Sequence, residues 1–290
     1  MTLLTLIQTN SFVFIVLVAV LGLLIGSFLN VVIYRTPIVL MRNWQRDCQE
    51  LNEPAASAGP HETFNLVTPR SRCPHCGHAI TALENIPIVS YLWLRGKCSA
   101  CRKAISIRYP FVELLSATLA AVTAWQFGFT PAGIAAIVLT WTLIALTFID
   151  IDHQLLPDVI VLPFLWIGLL LNLFNVFVPL PHAVIGAVAG YLSLWLVFHL
   201  FKFITGKEGM GYGDFKLFAL LGAWLGWQSL PLIILLSSLI GTTIGIGLIV
   251  FQGRDRAKPL PFGPYLAAAG WVAMLWGDVI MRQYLQLARF

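Results

Sequence analysis

Charge is what this 290-residue chain has least of: only 11% of its residues are Asp, Glu, Lys or Arg, against 58% that are hydrophobic. A soluble domain of this size has no use for such a balance, whereas a polytopic membrane protein requires it. Acidic residues are scarcer than basic ones, 13 against 18, yet the excess does not form the basic stripe of a nucleic-acid binder. It is confined to a few loops, as topology signals are, and no nucleic-acid partner is expected. Residues 1–10 contain no Lys or Arg, so there is no basic n-region, and the apolar run from Phe12 to Ile33 is too long for the h-region of a cleavable signal. No internal repeat or low-complexity tract stands out.

The apolar residues fall into about eight spans, near 12–33, 109–128, 133–150, 159–178, 183–201, 215–227, 229–251 and 261–281. A crossing helix takes about 20 residues, which the 215–227 piece lacks. Alternating sides from span to span sorts the basic residues. Ten lie in 34–108; Lys202, Lys207 and Lys216 follow in one loop and its flank, and Arg254, Arg256 and Lys258 in another. Only Arg282 and Arg289 fall opposite. The positive-inside tendency makes the crowded face cytoplasmic and places both ends of the chain outside. The expected fold is an all-α polytopic membrane protein with a small cytoplasmic zinc-ribbon-like domain. Its parts are a first transmembrane helix (1–33), a polar cytoplasmic domain (34–108) that includes the loop-like 53–60, and a transmembrane core (109–290).

Four of the five cysteines lie in the polar stretch. Cys73-Pro-His-Cys76 and Cys98-Ser-Ala-Cys101 make two C-x2-C knuckles separated by 21 residues, close to zinc-ribbon spacing. Four thiolates suit the closed tetrahedral coordination of structural zinc, and a reducing cytoplasm disfavours disulfides. About 75 residues build little core, so a metal staple has a purpose. Gly77 and Gly96 supply tight turns. His75 and His78 are alternative ligands, expected outside the first coordination sphere, and Cys48 is an ordinary thiol. A metal with four protein ligands holds no open position for water, so this site is a staple rather than a hydrolytic centre.

Carboxylates beside hydrocarbon are expensive and often functional. Asp150 ends a span in FIDIDHQLLPD (148–158), and Asp214 closes GMGYGD (209–214) before the short apolar stretch. Both fall on the cytoplasmic face. Asp152 competes with Asp150 for a chemical role, while Asp158, after Pro157, sits where a helix N-cap belongs. The glycines of GMGYGD let backbone approach a substrate closely, and the run lacks the Lys-Ser/Thr ending of a phosphate loop. Two carboxylates brought together titrate as a coupled pair, one charged and one neutral, which is how an aspartate dyad activates water. No Ser-His or Cys-His pairing competes. Glu113 is expected to pair with Arg108 or cap a helix, and Asp278 to pair with Arg282.

Taken together, LLIGSFLNVVIYR (23–35), the two knuckles, ENIPIVSY (84–91), RYPFVEL (108–114), FIDIDHQLLPD, GMGYGDFK and PFGPYLA (261–267) resemble the type IV prepilin peptidases, members of the GxGD intramembrane aspartic proteases. The resemblance implies Asp150, seven residues before Pro157, and Asp214 as the catalytic pair. It also implies cleavage of the basic leader from type IV prepilins and type II secretion pseudopilins at the cytoplasmic face of the bacterial inner membrane. N-methylation of the new N-terminus by S-adenosylmethionine would follow. The residues themselves show no S-adenosylmethionine fingerprint, and that site is left unassigned. The competing expectation is a membrane transport or assembly protein with the zinc ribbon as a docking module and the aspartates as ion sites.

Overall fold

The computed structural model describes residues 8, 10–52, 64–207, 209–252 and 260–287. The expectations placed on residues 1–7 and 9, on the loop 53–60, and on Arg254, Arg256, Lys258 and Arg289 lie outside them. Among the described residues the regular structure is helical, with only two isolated β-bridges, Arg72–Ala79 and Lys97–Ala104. The chain separates into two compact units, Met1–Phe129 and Thr130–Phe290.

In the first unit, α1 (Ser11–Asn52) begins where the Asn10 side chain accepts from the backbone N–H groups of Phe12 (3.0 Å) and Val13 (3.3 Å), as an N-cap does. The apolar run ends near residue 33, but the helix does not; it continues through Pro37 to Asn52. The short α2 (Val89–Trp93) follows, then α3 (Arg108–Phe127). Helices α1 and α3 pack closely because Gly22 and Gly26 carry no side chain. A Cβ on Gly22 would meet the Ala117 Cα at 2.7 Å, and one on Gly26 the Glu113 Cα at 2.6 Å. Across this seam Ser116 donates to the Gly22 carbonyl (2.7 Å) and Asn30 to the Tyr109 carbonyl (3.2 Å).

The second unit holds α4 (Pro131–His153), α5 (Asp158–Leu173), α6 (Leu180–Thr205), α7 (Tyr212–Leu225), α8 (Leu230–Gln252) and α9 (Gly263–Leu287). Helix α7 is its centre: from Asp214 to Leu225 only Lys216 is not buried. Helices α5, α6 and α9 pack against it. Gly186 of α6 and Gly222 of α7 touch backbone to backbone, with no room for a Cβ on either. Trp224 donates from Nε1 to the Phe164 carbonyl of α5 at 2.7 Å. Helix α5 stops at Leu173, short of the expected span end near 178. Buried Asn172 turns the chain there: its carbonyl accepts from Phe177 (3.0 Å) and Val178 (3.1 Å), and its amide donates to Ala223 (2.9 Å) and Trp224 (3.0 Å).

Each of the eight apolar spans read from the sequence coincides with one of these helices. Five stretches are long and apolar enough to cross a membrane: Ser11–Leu51, Pro131–His153, Leu180–Thr205, Trp227–Leu248 and Gly263–Leu287. The molecule is an all-α polytopic membrane protein carrying a small cysteine-cluster domain. Helix α7, with 14 residues, rises only about 21 Å against a hydrocarbon layer of about 30 Å. It tolerates this because protein surrounds it.

Candidate active site and metal centre

The sulfurs of Cys73, Cys76, Cys98 and Cys101 all lie within 4.8 Å of one another, with Cys73–Cys101 at 3.8 Å and Cys76–Cys98 at 4.0 Å. Four sulfurs at about 2.3 Å from a tetrahedral zinc stand about 3.8 Å apart. The donor set therefore fits a metal of that size and softness. The two knuckles are built alike. Each is closed by a β-bridge. Gly77 donates to the Cys73 carbonyl at 2.9 Å, and Arg102, in the matching position, to the Cys98 carbonyl at 3.0 Å. Both have positive φ, 73° and 60°, so the residue that turns the second knuckle is Arg102, whereas Gly96 precedes it. The likeness is visible in the sequence as RCPHCGHAI (72–80) beside KCSACRKAI (97–105), a nine-residue repeat that corrects the expectation of none.

Backbone N–H groups hold the first sulfur of each knuckle toward the thiolate. Those of His75 and Cys76 lower the Cys73 thiol to about 6, and those of Cys101 and Ala100 lower Cys98. Cys76 is pushed up to about 11; there the favourable His78 N–H bond is outweighed by burial and by Cys101, Cys73 and Cys98. Four crowded sulfurs cannot all ionise without a cation among them. His78 stands outside this quartet. Its Nε2 lies 3.3 Å from the Glu84 carboxylate, which also accepts from the Ser99 hydroxyl, the Thr81 N–H (2.8 Å) and the Thr81 hydroxyl (2.9 Å). The Ser99 bond, then the Thr81 bonds, hold Glu84 down at about 2. Glu84 thus ties one knuckle (His78) to the other (Ser99), a role that its place in ENIPIVSY did not disclose.

In the second unit Asp150 lies in the last turn of α4, only 5% exposed, and Asp214 in the first turn of α7, 7% exposed. Helix α4 ends because Gln154 takes a left-handed conformation (φ 51°) and returns its N–H to the Asp150 carbonyl at 2.9 Å. The Asp150 Oδ2 accepts from the Gly263 N–H at 3.0 Å, at the start of α9. The Asp214 Oδ2 accepts from the N–H of Gly211, the N-cap of its own helix, at 3.2 Å. This is half of a capping box, placed where the helix dipole favours negative charge.

Leu156 joins the two acids. A Cβ built on Gly263 would lie 2.6 Å from the Asp150 Oδ2 and 3.2 Å from the Leu156 Cδ1; one on Gly213 would lie 2.8 Å from the Leu156 Cβ. So the Leu156 side chain is seated between the glycine that precedes Asp214 and the glycine that holds Asp150. The arrangement has two carboxylates, each fixed through one oxygen by a backbone N–H. Nothing in the sequence marked Gly263 as Asp150's partner; PFGPYLA stood out as a motif without a task.

The remaining acids sort themselves by contact. Asp152 is exposed. Asp158 does not cap α5, whose N-cap is Pro157; instead it accepts from the Lys216 ammonium at 2.8 and 2.7 Å and so ties α5 to α7. Glu113 accepts from the Ile88 N–H at 2.8 Å. The Arg282 Nε donates at 3.1 Å to the main-chain carbonyl of Asp278.

A model of the bacterial Peptidase A24 N-terminal domain matches residues 20–127, and one of the type IV leader peptidase family matches residues 137–246. The protein named prepilin leader peptidase/N-methyltransferase from Stutzerimonas stutzeri is 57% identical over 97% of this chain and 97% of its own length. Its namesake from Pseudomonas putida is 56% identical over the whole of both, and that from Aeromonas hydrophila 58% over 93% of each. No solved structure matches significantly. With the two family models falling one after the other on the two units, and relatives this similar along their full length, the chain belongs to the type IV leader peptidase family.

Proposed function

We propose that this protein removes the leader from type IV prepilins and type II secretion pseudopilins at the cytoplasmic face of the bacterial inner membrane, then methylates the exposed N-terminus. The observation that carries the reading is the convergence of Asp150 and Asp214 around Leu156. The names carried by relatives at 57%, 56% and 58% identity agree with it. One carboxylate, ionised, takes a proton from a water molecule as it attacks the scissile carbonyl. The other, protonated, donates to the carbonyl oxygen as charge develops there. The Gly263 and Gly211 N–H groups orient the pair, and enclosure of α7 by protein keeps bulk water out. Glycine at 211, where a Cβ would meet nothing nearer than the Asp214 Oδ2 at 3.7 Å, lets an extended substrate come against the main chain at Asp214.

The orientation rests on the basic residues. Sixteen of 18 fall on the face of the two aspartates, by the alternation of spans, and residues 34–108 lie there too. Zinc, held by Cys73, Cys76, Cys98 and Cys101, staples the knuckles and takes no part in hydrolysis. S-adenosylmethionine supplies an electrophilic methyl group to the free amine; no residue is assigned to it.

The test is reconstitution. Purified protein in detergent is mixed with a leader-bearing prepilin and S-adenosylmethionine, and the pilin N-terminus is read by mass spectrometry. The expected product has lost the leader and gained one methyl group. An unprocessed prepilin, with the enzyme folded and metal-loaded, overturns the proposal in favour of a transport or assembly role.

A further inference from the structure

Helix α2 exposes its apolar side. Val89, Leu92 and Trp93, spaced i, i+3, i+4 and therefore on one face, are 55%, 69% and 81% exposed. Five residues are too few to hold a helix unaided, and an open face of this kind marks an interaction site. What lies against it follows from its depth. The Ile88 N–H, at the N-cap of α2, is bonded to the Glu113 carboxylate, and Glu113 packs its Cα against Gly26 of α1. Gly26 lies inside the charge-free run of α1, nine residues before Arg35, the first charge after it. Nine helical residues rise about 13 Å. The start of α2 is therefore pinned alongside the membrane-crossing part of α1, not out in the aqueous domain.

We propose that α2 is an interfacial membrane anchor, its Val89–Leu92–Trp93 face set into the headgroup–acyl boundary of the leaflet that the cysteine domain adjoins. Short apolar faces settle about 5–10 Å into that boundary, and Trp is favoured there. The charge pattern fits anionic lipid. From Asn85 to Val112 the chain has no acid, but carries Arg95, Lys97, Arg102, Lys103 and Arg108. The anchor holds the second knuckle, which begins five residues after Trp93 at Cys98, against the membrane surface. This inference does not depend on the proteolytic reading.

Two measurements test it on the full-length protein in phosphatidylethanolamine–phosphatidylglycerol vesicles, first without prepilin. Hydroxyl-radical footprinting of the unsubstituted protein is expected to leave Trp93 unoxidised while exposed side chains of the knuckles react; full oxidation of Trp93 overturns the proposal. Next, p-benzoylphenylalanine is installed at Leu92, at Trp93 or, as a control, at exposed Ala82 outside the basic stretch, and each protein is irradiated. Lipid adducts at the first two positions in clear excess over the third are the expected result. Crosslinks from positions 92 and 93 to the protein's own chain in place of lipid refute it. So does a switch to prepilin crosslinks with loss of lipid adducts when prepilin is added, which makes the face a substrate-docking surface.

Discussion

Replacing Gly263 by alanine probes the placement of Asp150 without touching an acid. The new Cβ would lie 2.6 Å from the Asp150 Oδ2 and 3.2 Å from its Cγ, where relaxed contact between heavy atoms needs about 3.5 Å or more. The crowded atom is the end of a mobile side chain, so the carboxylate swings away by about 1 Å and the fold survives. The hydrogen bond from the Gly263 N–H, 3.0 Å in length, is lost or bent. A misplacement of about 1 Å in a reacting group can cost about 100-fold in rate, and the Gly263→Ala enzyme is expected to lose between tenfold and about that much in kcat. Thermal stability should fall by no more than about 1–3 kcal/mol, the scale of one charge-assisted bond. Gly211→Ala is the matched control: its Cβ meets the Asp214 Oδ2 at 3.7 Å, an ordinary contact, and its N–H remains. That variant should cleave at nearly the parental rate. The assay is single-turnover cleavage of a prepilin followed by mass spectrometry, with melting curves alongside. Equal activity in both variants, or a Gly211→Ala defect as deep as that of Gly263→Ala, would refute the reasoning.

Other changes reach different parts of the same construction. Gly213→Ala drives a Cβ to 2.8 Å from the Leu156 Cβ, at the root of a side chain that cannot rotate away; cleavage and melting temperature should fall together, with an overpacking cost of about 1–3 kcal/mol, visible in paired activity and unfolding measurements. Gly222→Ala presses α7 onto the Gly186 carbonyl, and a sharp drop in the yield of folded protein by detergent size-exclusion chromatography is expected. Cys98→Ser breaks the four-sulfur set, so metal analysis should show loss of bound zinc and proteolysis should find new cuts within 64–108, while the aspartate chemistry declines less. Glu84→Ala unties His78 from Ser99; faster zinc release to a chelator, followed by a colorimetric indicator, is the expected sign.

Much of this was legible because membrane folds leave strong marks. Each apolar run became a helix, since a chain in lipid has few other ways to satisfy its backbone. The grouping of the four cysteines was equally plain in their spacing. What stayed hidden was what one residue does for another far along the chain. The Gly263 N–H that holds Asp150 is 113 residues away from it, and only the folded backbone brings them together. Glu113 was expected to pair with Arg108 or cap a helix; the helix end it serves, through the Ile88 N–H at the N-cap of α2, lies 25 residues back along the chain and only the fold brings the two together. Helix α1 outran its apolar stretch because a helix needs no hydrocarbon around it, and it continues through Pro37 although that residue removes one backbone bond and crowds the preceding turn. The end of α5 was missed for a related reason: Leu173 to Val178 is apolar throughout except for Asn175, yet buried Asn172 gathers four backbone groups there and turns the chain.

The central claim is that Asp150 and Asp214 form one reaction centre and that exposed Asp152 is not part of it. Asp150→Asn, Asp152→Asn and Asp214→Asn should be compared with the parent protein in cleavage of a leader-bearing prepilin, each with its zinc content confirmed. Cleavage should vanish in the first and third and persist in the second. Persistence in either dyad variant, or loss in Asp152→Asn alone, would contradict the account.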